Sequence, residues 1–484
     1  MRKNTHRTLG RVVGAITVVG WLFCVAPLAS SQGGAQRLQG QVPLADQLNG
    51  RGLMGYKKNV RVIGHNDVLN RLNNGNLGWL DDCAYVSAYY GANDVTAGLA
   101  IIDASRPRNP RLVRILPGVP GSRESQVEAS ENPRQVVVMT WPTNTYFGDP
   151  PAANSVLWIY DVGRDCTNLT LRSKYDFGTE GGRPIITHEH AIWRDKIYVT
   201  MDVQGGAGPP LSVIDVSDRD RPMLIAEYRL PDQAGGRPAV FHDLELSTDG
   251  TRAYLSQREP PFQGMSILDT SQVAAWKRGM PLPTITRVSP VVYWSPPMPG
   301  ASHSTMQFKV QGRKYVLTEN EGAGGSPDGQ CPAGWAQIAD VNDERNPTII
   351  SSFLLDVNRI ENCERIRPDH DGIPTTGPIS ILQNGIRYNS HYLGVDDPED
   401  AKLAAFTWYS SGLRIVDISD PYFPKEVGYF IPPTINLGGT RSYPDRAYSF
   451  VRFHRGNIWF NSINGGFWIV RYTGDKKDSD VDAD

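Results

Sequence analysis

A short segment of apolar and β-branched residues that ends in aspartate recurs along the chain. Its clearest copy, Leu413–Asp417, has the composition of a β-strand and runs into a polar turn at 417–421. The copies end at Asp103, Asp161, Asp215, Asp269, Asp340, Asp417 and, with arginine in place of aspartate, Arg471. Neighbouring copies lie 54 to 77 residues apart. A strand repeated at this spacing predicts an array of similar small sheets.

Each repeat can be divided into four strands. The third repeat shows this best, with alternating or apolar segments at 185–193, 196–201, 211–215 and 223–228. Seven four-stranded antiparallel sheets around one axis make a β-propeller, which leaves only short, protected strand edges. The sequence therefore predicts an all-β fold, a seven-bladed β-propeller over residues 59–474. A parallel solenoid is the alternative, and the length of the units disfavours it.

The two ends of the repeat region complement each other. Residues 59–63 alternate like a strand but have no partner strand before them, and the last repeat, ending near Tyr472, lacks a fourth strand. We therefore expect the N-terminal strand to complete the last sheet and close the ring.

These repeats resemble the LVIVD repeat family of exported β-propeller proteins. The resemblance rests on residues 412–421 (GLRIVDISDP), 211–218 (LSVIDVSD) and 62–67 (VIGHND), and it extends over nearly all of 59–472. It implies a propeller and export from the cytoplasm. It implies no settled reaction, because a fold does not by itself give a function.

The first 31 residues have the pattern of a secretory signal. A basic start precedes an apolar run at 12–28 and a small-residue cleavage site at 29–31. This predicts a protein that is secreted, or periplasmic or otherwise in the cell envelope, with no membrane span after cleavage; an uncleaved membrane anchor is the alternative. Residues 32–58, rich in Gln and Gly, are predicted to be a flexible lead-in, and 475–484 a disordered tail.

Cysteines and charge narrow the picture further. Export leaves Cys83, Cys166, Cys331 and Cys363 in an oxidising compartment, where disulfides form. Cys331 and Cys363 lie in neighbouring loops, so this pair is favoured and Cys83–Cys166 follows by elimination; four unpaired thiols are the alternative. The formal net charge of −2 gives no basic surface, so a nucleic-acid partner is not expected.

The aspartates that end the third strands have a structural interpretation. An aspartate in that position can accept hydrogen bonds from the backbone N–H groups of the turn that follows. We therefore expect them to cap turns.

Several of the nine histidines fall at the start of the first strand of a repeat. First strands line the channel of a propeller, so equivalent positions converge on the axis. The predicted metal ligands are His65, His190, His242, His303 and His391, with His188 sharing the site or facing its wall. Three or more imidazoles suit copper, zinc or iron, and Glu189 and Asp243 would orient the rings or complete the set of metal ligands. The alternative is that each histidine bonds the backbone of the next blade.

Long loops are expected at the same end of the channel, where binding sites often lie. The residues predicted to line a pocket there are Glu319, Trp335, His370, Asp371 and Trp408, beside Glu189 and Asp243. The sequence thus favours a module that binds a small molecule or an envelope protein at the channel mouth. The alternative is a metalloenzyme of oxidoreductase or lyase type. No phosphate-binding loop, nucleophile elbow or His-Glu-x-x-His motif is present.

Overall fold

Seven antiparallel sheets form the blades of the propeller, and their strands pair in chain order except for two N-terminal strands that join blades 6 and 7. The computed structural model describes residues 37–88, 98–118, 122–142, 154–201, 210–229, 241–257, 264–289, 292–293, 301–321, 331–332, 334–370 and 388–474. The predicted signal sequence and tail lie outside these residues. Within them, no helix is long and apolar enough to cross a bilayer.

Blades 1 to 4 follow one another along the chain. Blade 1 contains Asn74–Leu80, Cys83–Ala88, Gly98–Asp103 and Arg111–Pro117; blade 2 contains Ser122–Glu131, Arg134–Pro142, Val156–Val162 and Leu169–Asp176. Blade 3 contains Thr187–Trp193, Lys196–Met201, Leu211–Asp215 and Met223–Tyr228; blade 4 contains Phe241–Leu246, Arg252–Gln257, Gly264–Asp269 and Thr286–Arg287, with Val292–Tyr293 also paired to its third strand.

Blades 5 to 7 complete the ring. Blade 5 contains Ala301–Val310, Arg313–Glu321, Ala336–Asp340 and Thr348–Phe353; blade 6 contains Tyr392–Val395, Leu403–Thr407, Leu413–Asp417, Lys425–Ile431 and Tyr56–Lys58; blade 7 contains Arg452–His454, Asn457–Ser462, Gly466–Tyr472 and Val60–Asn66. In the described part of the chain, two short strand pairs lie outside the blades, Thr179–Glu180 with Arg183–Pro184 and Ile435–Asn436 with Ser442–Tyr443. The α-helices described there are Leu44–Leu48, Ser271–Ala275 and Cys363–His370, and the 3₁₀ turns are Arg51–Met54, Val68–Asn70, Asp356–Asn358 and Ile360–Asn362.

The predicted ring closure is confirmed. Val60–Asn66 pairs antiparallel with Gly466–Tyr472 and places Val60 opposite Tyr472 and His65 opposite Trp468. The N-terminal strand is therefore the outermost strand of the last blade. It satisfies the backbone edge that blade 7 would otherwise expose.

The burial of each strand follows its position in the blade. Leu211–Asp215, a third strand, is buried at every residue because it packs against neighbouring blades on both faces. Arg111–Pro117, a fourth strand, has only half-buried and exposed residues. Apolar clusters join adjacent blades, as where Tyr85 and Ile101 of blade 1 pack with Val136 of blade 2.

Four of the six repeat aspartates cap turns, as expected from the sequence, whereas Asp161 lies within its strand and pairs with Arg219. Asp103, Asp269, Asp340 and Asp417 each accept a backbone N–H from the residue two positions later, at 2.9–3.0 Å. The bonds to Ser105 are the largest cause of the lowered pKa of Asp103. In these four repeats the aspartate therefore fixes the turn that follows the third strand.

The lead-in predicted over 32–58 to be flexible is corrected for residues 37–58. This segment contains the helix Leu44–Leu48 and the added strand of blade 6. Gln41 donates to Asp369 at 2.9 Å, and the same carboxylate accepts the backbone N–H of Leu44 at 2.8 Å. The local sequence of this segment indicates flexibility, but its polar residues are ordered because the helix Cys363–His370 supplies their hydrogen-bond partners.

Both predicted disulfides are present. Cys83 in the second strand of blade 1 bonds Cys166 of blade 2, and their Cα atoms lie 5.9 Å apart. Cys331 bonds Cys363 at the start of its helix, with a Cα separation of 5.5 Å. The first disulfide thus joins two adjacent blades, and the second attaches the helix to the segment before the third strand of blade 5.

Candidate metal centre at the channel mouth

The first strand of several blades is irregular at the same place. In blade 3 the pairing register shifts between Thr187 and His190, in blade 4 between Phe241 and Leu244, and in blade 5 between Ser302 and Thr305. Two residues stand between each pair: His188 and Glu189, His242 and Asp243, His303 and Ser304. Such a bulge breaks the strict alternation of a strand and re-aims the side chains within it.

Hydroxyl groups from the second strands hold these bulges in place. Thr200 accepts the backbone N–H of Glu189 at 3.0 Å and donates to the carbonyl of His242 in the next blade at 2.9 Å. Ser256 repeats the arrangement, with the N–H of Asp243 at 3.0 Å and the carbonyl of His303. Each blade thereby positions the histidine of the next one. This is the physical reason why equivalent positions converge.

Four histidine rings form a continuous row at the start of the inner strands. Ring centroids lie 3.9 Å apart for His188 and His242, 3.8 Å for His242 and His303, and 4.3 Å for His303 and His391. All four residues are buried. Tyr448 continues the row, 4.3 Å from His391.

Two carboxylates join the histidines to give overlapping groups of potential metal ligands. His188, Glu189 and His242 each offer one ligand atom within 4.8 Å of the others, and so do His242, His303 and Glu321. His188 Nδ1 lies 3.3 Å from Glu189 Oε1, and His303 Nε2 lies 3.7 Å from Glu321 Oε2. Imidazole and carboxylate together suit zinc, copper or iron, and three protein ligands leave a coordination position for another molecule.

Further carboxyl groups lie along the same axis. Burial raises the pKa of Asp243 and of Glu319 well above the usual values, and Asp243 adds to the shift of Glu319. Near the other ends of the inner strands, Glu128 and Glu245 line a cavity of about 440 Å³. Burial raises the pKa of both groups, that of Glu245 to about 8. An axis with several buried acids favours protons or a bound cation over free carboxylates.

The raised pKa of Glu245 predicts a specific dependence of stability on pH. The folded protein holds this proton more tightly than the unfolded chain, so the stabilisation is complete below about pH 4.5 and is lost as the pH approaches 8. Over this range the free energy of unfolding of the wild type should fall, relative to that of Glu245→Gln, by up to about 1.4 kcal/mol per pH unit. Urea titrations of both proteins at several pH values measure the difference. Parallel curves would contradict the assignment.

Two of the predicted metal ligands lie elsewhere. His65 is exposed on the outermost strand of blade 7, where it stacks on Trp468 at 3.7 Å and bonds the carbonyl of Gly465 at 2.5 Å. The strand that closes the ring is an outer one, so His65 cannot reach the axis. His190 returns to the strand ladder opposite Val199 and is buried beside the backbone of Val137 in blade 2. Burial lowers its pKa to about 3, and His188 takes the place predicted for it.

Of the residues predicted to line a pocket, some lie near the axis and others belong to the apolar core. Glu319 is buried near the axis and accepts the hydroxyl of Ser304 at 2.8 Å. Trp408 belongs to the apolar core, donating to the carbonyl of Tyr388 at 2.8 Å, and Trp335 packs half-buried against the same core. The side chain of His370 and the whole of Asp371 lie outside the described residues.

Sequence reasoning missed two residues of the site, Glu321 and Tyr392. Glu321 lies two positions beyond Glu319 on one strand, which places both side chains on the same face. Tyr392 follows His391 as Glu189 follows His188, so its position in the repeat could have identified it as a residue of the site.

Comparison with known proteins finds one family match and distant structural similarities. The LVIVD repeat family matches residues 409–431. A search of curated proteins finds no match to the chain. Among solved structures, the chain is similar to a putative 6-phosphogluconolactonase from Bacteroides fragilis, with 9% identity and a TM-score of 0.46 over 80% of this chain and 92% of that one.

Two further structures are similar at the same level. The periplasmic gluconolactonase of Pseudomonas aeruginosa has 11% identity and a TM-score of 0.46, covering 74% of this chain and 86% of its own. The Cps50 β-propeller domain of Myceliophteria thermophila has 10% identity and a TM-score of 0.46, covering 85% and 99%. Similarities this distant carry no argument about the site. The chain is a seven-bladed β-propeller that carries an LVIVD repeat in its sixth blade.

Proposed function

We propose that this propeller binds one transition-metal ion, copper, zinc or iron, at the start of its inner strands and presents it to a small-molecule ligand at the channel mouth. The observation that carries the proposal is the pair of overlapping ligand groups that share His242. Imidazoles from consecutive blades, each fixed by the preceding blade, meet carboxylates there.

The chemistry of the site supports a cation. Metal–ligand bonds of about 2.0–2.2 Å need ligand atoms a little over 3 Å apart, so groups within 4.8 Å reach this geometry by small side-chain rotations. The ion would also offset the cost of burying Glu189, whose side chain is fully buried.

The alternative is that the histidines serve only the fold. His391 shows how this works, because its Nδ1 lies 2.5 Å from the carbonyl of Tyr448 in the next blade. His391 is not a member of either ligand group. The two interpretations therefore differ most for His242, which both groups share.

Metal binding by wild type, His242→Ala and His454→Ala tests the proposal. His454 is a matched control, since it bonds Asp82 at 2.7 Å outside the two ligand groups. We expect about one equivalent of metal in wild type and His454→Ala by elemental analysis after dialysis against copper or zinc. His242→Ala should lose at least 100-fold in affinity while keeping its circular dichroism spectrum. Wild type without stoichiometric metal, or His242→Ala with unchanged affinity, would contradict the proposal.

We further propose that the protein acts in the cell envelope or outside the cell. Two disulfides suit an oxidising compartment, and the first 31 residues have the pattern of a secretory signal. N-terminal sequencing of protein recovered from the periplasm or medium should find a chain that starts near residue 32. A chain that retains residue 1 in the cytoplasm would contradict export.

A further inference from the structure

We propose that Tyr392 is a positioning residue for the metal centre: it orients Glu189 and thereby makes His188, Glu189 and His242 the group that binds the ion. This inference rests on the proposed function and adds which of the two overlapping groups is used. Tyr392 contributes no ligand atom itself and acts through the carboxylate.

A chain of buried hydrogen bonds fixes the direction of every donor up to Tyr392. It starts at Asn76 in blade 1, whose side-chain oxygen accepts the backbone N–H groups of Leu77 at 3.0 Å and Phe450 at 2.8 Å. The main chain thus determines which way the Asn76 amide faces, and its nitrogen donates to Gln126 Oε1 at 2.5 Å. The amide nitrogen of Gln126 in turn faces Tyr392.

The Tyr392 phenol then has one hydrogen to donate, and its direction is fixed. Gln126 Nε2 donates to the Tyr392 oxygen at 2.9 Å, so the single phenol hydrogen is directed to Glu189 Oε1, 2.5 Å away. The same carboxylate oxygen lies 3.3 Å from His188 Nδ1. One oxygen of Glu189 is therefore held between a phenol and an imidazole, and the plane of the carboxylate is set.

Burial makes this arrangement effective. Asn76, Gln126, Glu189 and Tyr392 are all at most 2% exposed. Water cannot replace a lost bond easily at such positions, and groups that orient a metal ligand commonly change metal affinity by about 10- to 100-fold when removed. Side chains from blades 1, 2, 3 and 6 take part, so the network also joins opposite sides of the ring.

The second ligand group has a comparable phenol, which supplies the matched control. Tyr409 donates to Glu321 Oε1 at 2.5 Å, while Glu321 Oε2 lies 3.7 Å from His303 Nε2. Glu321 is less buried than Glu189, with 14% of its side chain exposed against none. Glu189 is the more buried carboxylate, and its phenol is itself held by Gln126, so we assign the ion to its group.

The experiment compares Tyr392→Phe and Tyr409→Phe loaded with Cu²⁺. We expect Tyr392→Phe to lower Cu²⁺ affinity 10- to 100-fold and to change the electron paramagnetic resonance spectrum, which reports the ligands of the ion. Tyr409→Phe should keep both within threefold of wild type. Gln126→Met touches neither the ion nor Glu189, and it should lower Cu²⁺ affinity as Tyr392→Phe does, but by less. If Tyr392→Phe does not fold, Gln126→Met takes its place in the experiment.

The outcomes separate the two proposals. An unchanged affinity and spectrum in Tyr392→Phe, or in Gln126→Met where it stands in, would overturn this inference alone. A spectrum that changes in Tyr409→Phe instead would also overturn it, because the ion would then lie in the group with Glu321. Wild type that binds no Cu²⁺ would overturn the proposed function and this inference with it.

Discussion

A chain that lacks residues 37–66 is expected not to form the native propeller. Val60–Asn66 is the outermost strand of blade 7, and Tyr56–Lys58 is an added strand on blade 6. Their removal exposes two strand edges and uncovers Val60's neighbours in the apolar cluster of blades 6 and 7. It also removes Gln41 and Gln47, whose buried side chains bond Asp369 and Arg441 in the rest of the chain.

Thermal unfolding followed by circular dichroism measures the effect. The truncated chain, which keeps residues 1–36, should show no cooperative transition or a midpoint lower by more than 15 °C. A chain that ends at residue 474 is the control, and it should melt like the intact protein. If the chain without residues 37–66 also melts like the intact protein, the ring is not closed as described.

The second large effect is expected for substitution of Asp215. Among the repeat aspartates with an ion pair in the described part of the chain, it is the one whose side chain is fully buried. Its carboxylate lies 2.9 Å from Lys196 Nζ and 2.7 Å from Arg278 Nε, and it accepts the hydroxyl of Ser217 at 2.8 Å. The Lys196 side chain is only 3% exposed. Asp215→Ala should destabilise the protein by about 3 kcal/mol, because it leaves the ammonium of Lys196 buried with Asp195 as its remaining carboxylate.

Asp417→Ala provides the comparison at the equivalent position of blade 6. Asp417 caps its turn through the backbone N–H and the hydroxyl of Ser419, at 2.9 and 2.6 Å, and should contribute about 1 kcal/mol. Urea unfolding of the two variants gives both values. Equal losses would show that the buried ion pairs of Asp215 add nothing to the cap.

The fold could be predicted because one strand motif recurs along the sequence with small changes. Each copy, such as Leu211–Asp215 or Leu413–Asp417, is a strand buried on both faces followed by an aspartate turn. This local chemistry is the same wherever the segment stands. The orphan strand at the N-terminus and the missing strand after Tyr472 then implied closure, since an unpaired edge is costly in a ring of sheets.

The site could be predicted only in part, because its details depend on irregular geometry. Regular alternation made His188 and His190 equivalent choices, and the bulge at His188 and Glu189 decided between them. His65 matched the others by its local sequence, but its strand is used at the outer edge of the last blade. Glu189 was expected beside the histidines, whereas its bond to Tyr392, 203 residues away, depends on the closed ring.

Gln41, outside the site, also has a long-range partner that the local sequence does not predict. A segment rich in Gln and Gly is typical of flexible chain. Its neighbours in sequence satisfy only part of the Gln41 amide, whose oxygen accepts the backbone N–H of Leu38. In the structure Gln41 bonds Asp369, 328 residues away. Long-range polar partners of this kind leave no periodic signal in the sequence.

Anomalous X-ray diffraction from crystals of metal-loaded protein tests the central claim most directly. Data collected at the absorption edge of copper or zinc locate the ion without assumptions about its ligands. We predict one strong peak about 2.0–2.2 Å from ligand atoms of His188, Glu189 and His242. A map with no peak in the channel, or with peaks only at surface residues such as His65, would contradict a metal centre at the channel mouth.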